Sequence, residues 1–166
     1  LSVDLKKPEG VALIKRMAAQ ADIVLESFRP GVMDKLGVGF AALQMINPGV
    51  IFGSVSAYGQ TGPWRDKAGV AGIVQAVSGL MSNIGDANSP PMKVLVPAVD
   101  MVTGFISTSA VLAALRVRDA TGHGQHLDFS LYNSALMLQL SAVASYLSSD
   151  ELPLRTGTAA PYSAPN

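Results

Sequence analysis

The stretch that decides the fold is ADIVLESFRPGVMDKLG, residues 21–37. Its apolar run Ile23-Val24-Leu25 is short and uninterrupted, which is typical of a buried strand in a parallel sheet. Charged and polar residues follow at once, and Pro30-Gly31 ends the segment. Open α/β sheets bind ligands at the carboxyl ends of their strands. The stretch therefore predicts a strand followed by a binding loop.

Strands and helices alternate on both sides of this stretch. Segments 50–55 and 126–130 are predicted strands, 2–5 is a short one, and 94–99 is extended. Lys7-Pro8-Glu9-Gly10 opens a helix, with proline at an early position where its missing N–H costs little. Further helices are predicted over residues 32–36, 41–46, 69–84, 100–117 and 133–147. This alternation indicates an α/β fold with a parallel sheet.

The composition excludes several functional classes. The 166 residues include twelve Lys plus Arg, twelve Asp plus Glu and no cysteine, with 49% apolar types. The balanced charge gives no basic field for nucleic acid or an anionic membrane surface, so we expect neither as a partner. The longest uncharged apolar stretch, 101–115, is shorter than the roughly 18–20 residues of a membrane span. The absence of cysteine fits a reducing compartment, and we expect a cytoplasmic protein.

Three common types of site find little support. The glycine-rich segments 59–63 and 122–124 lack the spacing of a dinucleotide or P-loop motif and are predicted to be turns. His123 and His126 flank one of these turns without completing a ligand pattern, so no metal is expected. No G-x-S-x-G motif supports Ser–His–acid chemistry.

Asp100 stands in VLVPAVDMVTGF, a stretch otherwise free of charge. One interpretation is structural, because an aspartate at a helix start accepts backbone N–H groups and complements the helix dipole. The other is catalytic. A carboxylate held among apolar neighbours beside a helix N-terminus can act as a nucleophile toward an activated carbonyl, and nearby N–H groups can stabilise the oxyanion.

The residues after the first strand suggest a binding segment. Phe28 offers a stacking face, while Arg29 and Lys35 offer positive charge for phosphate groups. The alternative is that these cations are solvated side chains on a surface turn.

Taken together, these segments resemble the family III CoA-transferases, the formyl-CoA and carnitine-CoA type, which are also akin to 2-methylacyl-CoA racemases. The matching stretches occur in family order and cover nearly the whole chain: LKKPEG, ADIVLESFRPGVMDKLG, NPGVIFGSVSAYGQTGPWRD, VPAVDMVTG and TGHGQHLDFSLYNSAL. The resemblance implies a Rossmann-like open parallel sheet with flanking helices, part of the large domain of such an enzyme. It also implies an interlocked homodimer acting on acyl-CoA and carboxylic acid substrates, with no metal.

The resemblance assigns roles to particular residues. Asp100 stands at the position of the family's catalytic aspartate, which forms a mixed anhydride with the acyl group and then an aspartyl-CoA thioester. Coenzyme A would contact two strips of the chain and one separate basic residue: Val3 to Lys6, then Ser27, Phe28 and Arg29, and Lys35 at the phosphates. Asp128 and the 122–124 turn also belong to the family pattern, and we interpret both as structural.

Two departures from the family pattern bear on function. Ser27 stands where members usually have Asn, and residues 68–71 lack the Lys, Tyr or His, and Asp that members often carry there. Val70 in particular cannot move a proton, whereas the racemases use a histidine at that position. A racemase is therefore the second hypothesis, and an inactive CoA-binding or dimerisation module is the third.

Family members are about twice as long as this chain, so we expect an internal portion of one. Residues 1–150 would belong to the large domain, and residues 151–166 would begin a linker toward a second domain.

Overall fold

A parallel sheet of three strands forms the centre of the structure, a computed structural model that describes residues 1–159. The strands, in the order β1-β2-β3, are β1 (Ile23–Glu26), β2 (Ile51–Ser56) and β3 (His126–Ser130). Ile23 lies opposite Ile51, and Phe52 lies opposite His126. The sheet is open, with β1 at one edge and helices on its faces. The predicted α/β fold is confirmed.

One face of the sheet carries the first hydrophobic core. The helices that supply it are α1 (Pro8–Ala18), α2 (Val32–Lys35) and α3 (Phe40–Gln44). Successive side chains on a strand point to opposite faces, and Val24 and Phe52 point into this core beside Val38 and Leu43.

The other face is covered by α5 (Ala98–Thr121), which contacts β2 and β3. Three further helices continue this layer: α4 (Ala71–Val77), α6 (Leu131–Leu138) and α7 (Leu140–Ser149). A second core forms where α4, α5 and α6 meet, around Val74, Val99 and Ala135. This layer does not fully cover β1, since Leu25 on that strand is 63% exposed.

The two predicted extended segments outside the sheet are wrong. Residues 2–5 form no strand because Asp4 makes a turn: its carbonyl accepts from the Lys7 amide at 3.2 Å and its Oδ1 from the Lys6 amide at 3.0 Å. Residues 94–99 form no strand either. The Val94 amide donates to the side chain of buried Gln75 at 2.9 Å instead of to a neighbouring strand.

Both long predicted helices beside α5 are shorter than expected. Segment 69–84 divides into α4 and a 3₁₀ turn, Leu80–Asn83, because Gly79 adopts a left-handed φ of 81°. Segment 133–147 divides into α6 and α7 at Gln139, whose side chain donates to the Ser78 carbonyl at 2.7 Å.

Helix α5 is longer than predicted and ends at Gly122, whose φ of 76° suits a glycine at a helix C-terminus. Within residues 1–159 it is the one helix long and apolar enough to cross a membrane, judged by length and composition alone. The uncharged stretch 101–115 is shorter because Asp100 and Arg116 bound it, whereas the helix continues past both charges. The contacts of α5 with two strands and with α6 are those of a helix packed on a sheet.

The predicted domain boundary stays a prediction. Part of the expected linker, residues 160–166, lies outside the described residues.

Candidate active site

Asp100 lies in the first turn of α5 and is exposed. The residue at the N-cap is Pro97, and no side chain caps this helix. Within residues 1–159 the Asp100 carboxylate has neither a hydrogen-bond partner nor an ion pair. The structural interpretation is therefore wrong in one respect, because Asp100 accepts no backbone N–H group at the helix start. Its carboxylate does lie where the helix dipole favours negative charge.

The direction of α5 places Asp100 toward the carboxyl end of the strands. At the far end of the helix, Arg118 pairs with Asp22, just before β1, at 2.7 Å. Since Arg118 is near the amino end of the strands, the N-terminus of α5 lies toward their carboxyl ends, beside Val55 and Leu131.

A cavity of about 450 Å³ separates Asp100 from β1. Its lining is Ile23, Leu25, Val55, Asp100, Thr103, Gly104, Ser107, Thr108, Val111 and Leu131. The hydroxyls of Thr103, Ser107 and Thr108 each donate to a carbonyl one turn earlier in α5, at 2.7–2.9 Å. Because these hydroxyl protons are already donated within the helix, the cavity wall is largely apolar. Asp100 is the one ionisable residue among those that line it.

A second pocket, of about 270 Å³, lies where β1 and β2 end. Ser27, Phe28 and Arg29 line it, as do Arg65 and Lys67. The Glu26 carboxylate fixes the first turn of this segment by accepting the Phe28 amide at 2.7 Å. The pocket therefore combines an aromatic face with three cationic side chains.

Arg65 and Lys67 were missed in the sequence, although they follow β2 in the chain as Arg29 follows β1. Lys67 is held over the Trp64 ring, with its Nζ 4.4 Å from the ring centroid. Trp64 in turn packs edge-on against Tyr58 and Tyr132. This aromatic cluster anchors residues 64–67, which follow the glycine-rich segment 59–63 and carry both cations.

A third cavity, a groove of about 630 Å³, brings together Lys6 and Lys35. Two further lysines, Lys7 and Lys15, share its lining. Val3 does not line it. It packs at the start of α1, where a β-carbon on Gly10 would lie 3.1 Å from its Cγ1.

The structure thus distributes the predicted residues over three cavities. Asp100 lines the first, Ser27, Phe28 and Arg29 the second, and Lys6 and Lys35 the third. Arg29 also lines a smaller cavity of about 200 Å³ beside Glu26 and His126. The segment from Ser27 to Leu36 contributes lining residues to both the second cavity and the third. Val70 lines the second, and its side chain has no polar atom.

Two polar pairs on β3 join distant parts of the chain. Asp128 accepts the Gln60 amide at 2.8 Å, which agrees with a structural role. His126 Nε2 lies 2.9 Å from the hydroxyl of Ser54, which is 1% exposed, and its ring stacks on Phe40. No signal in the sequence linked these residues, which are 72 positions apart. Among residues 1–159 no cluster of His, Cys, Asp and Glu could hold a metal ion.

Comparison with known proteins gives consistent matches. A family model described as CoA-transferase family III matches residues 1–166. A succinyl-CoA–D-citramalate CoA-transferase of Chloroflexus aurantiacus is 37% identical over 166 residues, which are 100% of this chain and 41% of that protein. A succinate–glutarate CoA-transferase of Agrobacterium fabrum is 40% identical over 162 residues, 98% of this chain and 40% of its own length.

Solved structures agree with these matches. A CAIB/BAIF family protein from Brucella suis superposes with a TM-score of 0.93 at 36% identity, covering 99% of this chain and 44% of that one. The chain spans about two fifths of the length of the curated relatives named here.

Proposed function

The chain belongs to CoA-transferase family III, and from this membership we propose that the complete protein transfers CoA between an acyl-CoA thioester and a carboxylic acid, with Asp100 as nucleophile. The observation that carries the proposal is the setting of Asp100. It is the one ionisable group on an apolar cavity, at a helix N-terminus and without a partner among residues 1–159.

This setting suits covalent catalysis by a carboxylate. An acyl-CoA that fills the apolar cavity would displace water from the exposed Asp100 carboxylate, which would make the carboxylate more reactive toward a carbonyl. The open backbone N–H groups of the first turn of α5 supply donors for the oxyanion that forms on attack.

The proposed reaction has four balanced steps. An Asp100 oxygen attacks the thioester carbonyl, the C–S bond breaks, and a mixed anhydride and CoA thiolate form. The thiolate attacks the aspartyl carbonyl, giving an aspartyl-CoA thioester and releasing the donor acid. The acceptor carboxylate then attacks this thioester and displaces the thiolate. Finally the thiolate takes the new acyl group and frees Asp100. Each activated bond replaces another, so no ATP is consumed.

The other two cavities would hold the remainder of CoA. We propose that Ser27 and Phe28 contact the pantetheine arm, that Arg29 lies toward the diphosphate, and that Lys6 and Lys35 contact the phosphates. Support comes from the segment Ser27–Leu36, which contributes lining residues to both cavities, and from the cations on both. The role of Val3 beside this strip rests on the family resemblance alone.

We propose succinyl-CoA as the donor. Support comes from the names of relatives, several of which are succinyl-CoA-dependent CoA-transferases. The racemase alternative is less well supported, because it needs a proton-transferring group where Val70 stands, 64% exposed and at the N-cap of α4.

We also propose that the complete protein is a homodimer. Support comes from an apolar face of α5. Met101, Phe105 and Leu112 are 54%, 69% and 62% exposed, and their spacing puts them on one side of the helix. A second copy would bury this face.

Trapping of the intermediate tests the proposal. The complete protein is incubated with succinyl-CoA, treated with hydroxylamine, and the modified peptide is identified by mass spectrometry. The expected result is a hydroxamate on Asp100, absent from Asp100→Asn and retained in Asp119→Asn, which alters a carboxylate at the far end of the same helix. Turnover with a label on another residue, or with none, contradicts the mechanism.

A further inference from the structure

The groove beside α1 is lined on one side by a single helical face. Pro8, Val11, Ala12 and Lys15 contribute to it, and they recur at the i, i+3, i+4, i+7 spacing of one face. Lys6, Lys7 and Lys35 complete the charged part of the lining. Arg16, the next residue of the same helical turn, does not line the groove.

All the charged side chains that line this groove are positive. Its lining includes four lysines and no carboxylate. Within the part of the chain that the structure describes, none of the four forms an ion pair. Four like charges around one opening repel one another, and a bound polyanion would relieve that repulsion.

Part of the groove lining is apolar. Leu5, Val11 and Leu36 belong to it, and the last two also pack against the buried core of the first sheet face. Apolar and cationic side chains that line one groove suit a molecule with a flat ring and several phosphates, which is the chemistry of a nucleotide.

We propose that Lys15, assisted by Lys7, selects CoA by the phosphate on the 3′ position of its ribose. This rests on the proposed function. The proposed function already places Lys6 and Lys35 at the phosphates, yet CoA carries both a diphosphate and a separate 3′-phosphate. A phosphate monoester alone adds about 1.5 to 2 negative charges near pH 7. The two additional lysines match that additional charge.

The test compares CoA with 3′-dephospho-CoA, which keeps the ring, the diphosphate and the pantetheine arm. Binding of each to the complete protein is measured by titration calorimetry. We expect the protein to bind CoA about tenfold more tightly, the size of one or two charge-assisted contacts in water. K15Q should abolish most of this preference and leave the affinity for dephospho-CoA unchanged.

Two variants keep the result interpretable. R16Q removes a cation from the same turn but outside the groove, and it should retain the full preference for CoA. K7Q should reduce the preference, and it repeats the test should K15Q fail to fold by circular dichroism.

The outcomes separate this inference from the proposed function. Equal binding of the two ligands by the unmodified protein, or a preference that survives in K15Q, overturns the role of Lys15 and leaves the transferase proposal standing. Binding of neither ligand overturns the transferase proposal itself.

Discussion

At the scale of single residues, Asp100 could be predicted from the sequence as a candidate catalytic residue, but the character of its surroundings could not. A lone carboxylate in an uncharged stretch is visible without a structure. What sequence alone does not show is that Thr103, Ser107 and Thr108 turn their hydroxyls back onto their own helix. That orientation depends on rotamers, and it makes the wall around Asp100 apolar.

Replacing Asp100 by Asn tests its chemistry directly. The amide keeps the shape but cannot form the anhydride, so kcat should fall by more than about a thousandfold. CoA affinity, measured by calorimetry, should be nearly unchanged. Asp119→Asn should retain normal kcat. Substantial turnover in Asp100→Asn would show that another group carries the acyl chain.

Gly124 tests close packing at one residue. A β-carbon there would overlap the backbone carbonyl of Val50, which cannot move aside. Gly124→Ala should lower the free energy of unfolding by more than about 2 kcal/mol, measured with urea. Gly104→Ala is the control, since nothing lies within 4 Å of its added carbon, and it should raise stability by up to about 1 kcal/mol. Equal stability of both variants would contradict this account.

At the scale of elements, the sheet was predicted well because its strands are short apolar runs bounded by strong breakers. The errors arose where a distant residue determines the local structure. The Gln75 side chain accepts the Val94 amide in a segment that was predicted to be extended. The Gln139 side chain donates to the Ser78 carbonyl at the point where a predicted helix divides in two. Neither contact is encoded in local periodicity.

Asn47 is an equally distant link between elements. Its Nδ2 donates to the carbonyls of Ala18 and Ala21 at 3.1 and 2.9 Å, which ties the C-terminus of α1 to the loop before β2. Asn47→Ala leaves both carbonyls without this donor and should cost about 2 kcal/mol of unfolding free energy. Asn133→Ala, at an exposed helix position, should be close to neutral. Loss of stability in both variants alike would argue against a special role for Asn47.

At the scale of the whole molecule, the two sides of α5 have different surroundings. Its inner side holds the second core and the Asp100 cavity, while its outer side presents large apolar side chains. The distribution of the site over three cavities also belongs to this scale. Sequence motifs named the residues, but only the fold shows which of them share a cavity and that Val3 stands apart.

Phe105 tests whether a second copy covers the outer side of α5. Burial of a Phe side chain is worth about 1.5–3 kcal/mol, and twofold symmetry would count it twice. Phe105→Ser should therefore weaken the dimer by more than about a hundredfold, measured by sedimentation velocity across protein concentration. Phe105→Leu keeps most of the apolar area and should remain dimeric. A Phe105→Ser protein with unchanged association would place the interface elsewhere.

The position of β1 has a consequence for handling the 166-residue chain by itself. Within residues 1–159 its outer edge offers unsatisfied peptide groups along a strand whose Leu25 is largely exposed. Such an edge is a template for amyloid-like stacking between molecules. Leu25→Lys places a charge on this strand that opposes such stacking. The purified Leu25→Lys chain should therefore show lower thioflavin fluorescence than the unmodified chain, and equal fluorescence would contradict this expectation.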